Sequence, residues 1–86
     1  MRKYEEYVDA FMIECGCFER GESIFGAIHF NHNENEEERV KIFRYLKALK
    51  PEYADVMTLI SVNGQPAPIH IHFDRLNKNI ENNQKL

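Results

Sequence analysis

All four histidines of this chain fall in two short segments, 27–33 (AIHFNHN) and 68–74 (PIHIHFD). His70 and His72 stand two apart. In a strand they point one way while Ile69, Ile71 and Phe73 point the other. His29 likewise sits between Ile28 and Phe30. If the two strands share a sheet, the imidazoles gather on the face opposite the apolar residues. Imidazoles in such a cluster can ligate a metal, move protons or form a polar recognition surface.

Metal ligation is the sharpest of these options. Two histidines at i, i+2 can chelate zinc or nickel if neighbouring residues complete the set. The candidate ligands are His29, His70, His72 and Asp74, with His32 as a further donor. The run His70-x-His72-x-Asp74 has the spacing of the metallo-β-lactamase metal loop, but Arg75 stands where a further ligand is needed. The chain is also several times too short for that fold, so no family assignment follows. Cys15 and Cys17 are one residue apart and His29 and His32 two apart. Both spacings are shorter than those of zinc fingers. Cysteines this close seldom reach disulfide geometry, which predicts reduced, half-buried thiols.

Catalysis finds no support. A nucleophile needs an adjacent base and a third group to orient it. Pairings such as Ser61 with His70 lack a nucleophile elbow, and the chain has no glycine-rich phosphate loop. The expectation is a protein that is not an enzyme and needs no cofactor.

The elements that would hold these residues follow from periodicity. Tyr4, Tyr7, Val8, Phe11, Met12 and Cys15 recur on one helical face, which predicts a helix over Lys3–Cys15 with Gly16 as its left-handed terminator. Glu19–Glu22 reads as a turn. Ser23–Phe30 reads as a strand, with Ile24, Ile28 and Phe30 toward the core and Phe25, Ala27 and His29 away from it. Gly26 marks a bulge or a close backbone approach.

Asn33 or Asn35 supplies the cap for a helix over Glu36–Leu49. Acidic residues fill its first turn and lysines lie near its end, as the helix dipole favours. Ile42, Phe43, Leu46 and Leu49 form its apolar stripe, and Pro51 stops it. Val56–Val62 is the next strand. Asn63-Gly64 is a strong hairpin signal, and Ile69–Phe73 returns, its start delayed by Pro66 and Pro68.

The order is α-β-α-β-β, an α+β fold with a small three-stranded mixed or antiparallel sheet, a C-terminal hairpin and helices packed on the sheet. Residues 1–76 form the single domain and 77–86 a polar, loosely ordered tail. If the last strand lies between the other two, His29 comes beside His70.

Composition narrows the function. A formal net charge of −3 argues against binding duplex nucleic acid, whose phosphates demand a basic face. No apolar run is long enough to span a membrane. The acidic residues near the start leave no signal-peptide core, so a cytoplasmic location is expected. Abundant asparagine, lysine and isoleucine suit an AT-rich genome such as that of a phage or mobile element.

The second sheet face, carrying Phe25, His29, His70 and His72, is too apolar for comfortable solvation and poor in charge, like the centre of a protein interface. The expected function is therefore a small protein-binding regulator or inhibitor that also homodimerises. The alternatives are a metal-binding protein, or a single-stranded RNA or nucleotide binder that stacks bases on Phe25 and the histidines.

Overall fold

The computed structural model describes residues 3–62 and 65–76. Helix α1 (Glu5–Glu19) leads into strand β1 (Gly26–Ile28), then helix α2 (Glu36–Leu49), a 3-10 helix (Pro51–Val56), and strands β2 (Met57–Val62) and β3 (Gln65–Ile71). The architecture is α+β. Its three strands are antiparallel in the order β1-β3-β2, so the last strand is central. No helix among the described residues is long and apolar enough to cross a membrane. The tail 77–86 and the hairpin residues Asn63 and Gly64 lie outside the described residues.

Helix α1 does not stop at Gly16. Its buried positions Tyr7, Phe11 and Cys15 continue the stripe toward Phe18. The Phe18 ring stacks on Phe73 at 4.5 Å and 7°. Burying that ring outweighs the local cost of glycine within a helix, about 1 kcal/mol. The terminator is instead Gly21, with φ 78°. Around it, Gly21 N–H donates to the Phe18 carbonyl at 2.9 Å and Glu22 N–H to the Cys17 carbonyl at 2.8 Å. Those two bonds are the Schellman arrangement, which satisfies carbonyls that the helix end leaves over.

Helix α2 has its expected bounds, and Asn35 is its cap: Oδ1 accepts from Glu38 N–H at 2.8 Å. Its buried stripe is narrower than the sequence implies. Ile42 and Leu46 are fully enclosed, whereas Phe43 is only partly buried under the Lys47 ammonium and Leu49 is exposed.

β1 is three residues long, which corrects the longer strand expected over Ser23–Phe30. The two-residue alternation therefore does not reach Ile24, which is 60% exposed rather than in the core. Gly26 is buried where α1 crosses the strand. A Cβ there would lie 3.2 Å from Glu14 Cβ and 3.3 Å from the Phe73 ring.

β3 begins at Gln65, before both prolines rather than after them. His72 N–H donates to the Val56 carbonyl at 2.8 Å. Counting back in twos, residue 70 is hydrogen-bonded toward β2, and residue 68 should follow. Pro68 has no N–H to give. There the register shifts, from Leu59↔Ile69 to Ser61↔Pro66, so Ala67 and Pro68 together oppose Ile60. The bulge is how a central strand accommodates this proline.

Both helices pack on one face of the sheet. Tyr7, Phe11 and Cys15 of α1 and Ile42 and Leu46 of α2 share a single core with Ile28, Met57, Ile69, Ile71 and Phe73. Polar ties hold α1 to the loop before α2. Tyr7 Oη donates to Glu34 at 2.7 Å and accepts from Asn31 N–H at 3.1 Å. At the other end of α1, Tyr53 Oη donates to Glu19 at 2.6 Å.

Candidate functional site

With both helices on one side, no described helix covers the other face of the sheet. Strand register decides what that face displays. Ala27 pairs with His70 and His70 with Thr58, which sets those three in a row across the sheet. Because Met57 and Leu59 pair with the core-facing Ile71 and Ile69, it is Thr58 and Ile60 that point outward from β2. The sequence left that parity open.

Phe25 anchors one end of the row. Just before β1, its ring lies 5.4 Å from the His70 ring and 5.3 Å from the His72 ring. The two imidazoles are 6.1 Å apart in an edge arrangement. Phe25 remains 47% exposed and Ile60 50%, while His70, His72, Ala27 and Thr58 are half-buried between them. Thr58 Oγ1 is buried and has no hydrogen-bond partner among the described residues. The result is a band of aromatic, imidazole and aliphatic groups without one Asp, Glu, Lys or Arg among Phe25, Ala27, Thr58, Ile60, Pro68, His70 and His72.

The metal set His29, His70, His72 and Asp74 is not gathered. Among the described residues, no group of three or more His, Cys, Asp or Glu side chains is placed to hold a metal ion. The antiparallel register explains why. Gly26↔Ile71, Ala27↔His70 and Ile28↔Ile69 carry His29 opposite Pro68, past the end of β1. His29 therefore sits out from His70 instead of beside it, and it is exposed. His32 is exposed in the following loop, and Asp74 lies in the helical turn at 73–76. Of the residues singled out from the sequence, the structure brings together Phe25, His70 and His72 and leaves His29 at the margin.

The thiols lie elsewhere. Cys15 is buried in the core, and that burial pushes its pKa up to about 11. Cys17 accepts from the Arg20 guanidinium at 3.7 Å. Neither approaches the histidine face closely enough to form a group with it.

Comparison of the chain with known protein families, with curated proteins and with solved structures found no match. What can be assigned is a class defined by geometry: a two-layer α+β fold whose three-stranded antiparallel sheet is covered by helices on one side among the described residues.

Proposed function

We propose that this protein is a small non-enzymatic regulator or inhibitor that binds another protein through the open sheet face. Its size and composition suit a phage or mobile-element product. What supports the reading is the exposure of Phe25 and Ile60 at either end of an uncharged, half-apolar band. The centre of a protein interface is depleted of charge and enriched in aromatic side chains in the same way. A net charge of −3 disfavours the nucleic-acid alternative. The scattered donors disfavour a resident zinc or nickel ion.

Without its partner, the same face pairs with a second copy of the chain, since a two-fold axis sets each apolar band against its equivalent. Sedimentation equilibrium at micromolar concentration tests this directly. Wild-type protein should weigh as a dimer and Phe25→Glu as a monomer, because the substitution buries an unpaired charge. Arg44→Glu, on the exposed surface of α2, should remain dimeric. A wild-type monomer, or equal loss of dimer in both variants, would contradict pairing through this face.

A further inference from the structure

A second site lies on the helical layer, away from the open sheet face. A cavity of about 370 Å³ opens between the start of α1 and the middle of α2, lined by Lys3, Tyr4, Glu5, Val8, Asp9 and Tyr45. Its wall is an aromatic pair, Tyr4 and Tyr45, with ring centroids 5.7 Å apart and planes tilted by 56°. Glu5 and Asp9, one helical turn apart, bring carboxylates to its lining.

Tyr4 is held in the left-handed region at φ 69°, the one non-glycine residue with positive φ among the described residues. That conformation costs a bulky residue free energy. Its hydroxyl donates to Glu38 at 3.0 Å, which fixes the ring against α2.

One of the lining side chains shows what the Tyr4 ring attracts. The Lys3 ammonium sits 5.3 Å from the centroid of the Tyr4 ring and 3.7 Å from a Glu38 carboxylate oxygen. An aromatic face backed by carboxylate is the environment that attracts organic cations, through the ring quadrupole and through charge. Lys3 is loosely held over the Tyr4 ring, its side chain 70% exposed. Tyr45 is 45% exposed and Asp9 makes no ion pair among the described residues, so both remain able to receive a ligand.

We propose that the Tyr4–Tyr45 cleft binds an organic ammonium ion, which displaces the Lys3 side chain from the Tyr4 ring. The ammonium can be the head of a free amine or of a lysine side chain on another protein. The chemistry at the rings is the same.

The test is an NMR titration of the full chain with n-butylammonium, which stands in for a lysine side chain, with tetramethylammonium, which stands in for a free quaternary amine, and with neutral n-butanol. Either cation should shift the Tyr4 and Tyr45 ring signals and the Val8 methyls, with affinity on the order of millimolar for so few contact atoms. Tighter binding of butylammonium assigns the site to lysine side chains, and tighter binding of tetramethylammonium assigns it to free quaternary amines. Butanol should shift the same signals far less.

Tyr45→Leu and Asp9→Asn, both at exposed positions, should each weaken the cation about three- to fivefold, the scale of an exposed cation–π contact. Lys3→Gln should tighten it by removing the internal competitor. Equal binding of butanol and butylammonium would reduce the cleft to an apolar hollow and overturn the proposal. So would an affinity indifferent to Lys3→Gln and Tyr45→Leu in variants whose spectra show an intact fold.

Discussion

Replacing Phe73 by alanine should be far more damaging than replacing Phe43, although the sequence puts Phe43 in the stripe of the best-defined helix. Phe73 is fully enclosed. It stacks on Phe18 at 4.5 Å and meets the Tyr53 ring edge-on at 5.2 Å and 89°. Truncating a buried phenylalanine to alanine costs about 3–5 kcal/mol. Each lost aromatic pairing adds about 0.5–1.5 kcal/mol beyond the area term, which places Phe73→Ala at the upper end of that range.

Phe43 is only partly buried and its ring lies under Lys47 Nζ at 5.0 Å. Its truncation should cost about 1–2 kcal/mol, in proportion to the smaller apolar area lost. Domains of this size have a total stability of about 5–10 kcal/mol, so Phe73→Ala approaches the limit of folding while Phe43→Ala does not. Urea unfolding followed by far-UV circular dichroism measures both, with Phe73→Leu as a milder variant should the alanine protein not fold. If Phe43→Ala lowers stability as much as Phe73→Ala or more, the packing argument is wrong.

Alkaline pH should destabilise the fold through Tyr7. Burial and the hydrogen bond to Glu34 push its pKa up to about 12, so its stabilising contribution is full below the unfolded value near 10 and is lost as pH rises through about 12. Urea midpoints at pH 8 to 11 should fall for wild type and fall less steeply for Tyr7→Phe; parallel curves would contradict this. Gly26→Ala should cost about 1–3 kcal/mol by overpacking, because the new methyl meets Glu14 Cβ and the Phe73 ring, and unchanged thermal melting would refute it. Adding a chelator should leave melting unchanged, and His70→Ala and His72→Ala should fold normally. Stoichiometric zinc or nickel in protein purified without a histidine tag would revive the metal reading.

Where local chemistry decided an element, the sequence was a sound guide. Asn35, the acidic turn after it and Pro51 bound α2 unaided. The α+β class also followed from the pattern, whereas the central place of the last strand was only one of the arrangements it allowed. Errors arose where tertiary packing overrode a local signal. Gly16 looked like a helix stop until Phe18 found Phe73, and Gly21 then did the work. The cue was present, since Phe18 continues the spacing of Phe11 and Cys15.

The candidate site was half legible. Alternation put His70, His72 and Phe25 on one face, and their rings do meet. The partnership of His29 depended on register, which a run of alternating residues does not specify to within one or two positions. The choice between Thr58 and Met57 depended on the same register. The Tyr4–Tyr45 cleft was hidden because it joins residues 41 apart in sequence on the margins of two helices, where helical spacing distinguishes a core edge poorly from an exposed ring.

The central claim is that a protein partner docks on the open sheet face, and site-specific photo-crosslinking tests it most directly. A photoreactive phenylalanine placed in turn at positions 25, 60 and 44 samples the two ends of the band and the exposed surface of α2. In cells that hold the natural partner, positions 25 and 60 should yield the same crosslinked protein, in competition with the chain's own dimer, and position 44 should yield neither. Crosslinks to that protein from position 44 alone, or from none of the three in a sample where the partner demonstrably co-purifies, would contradict the account.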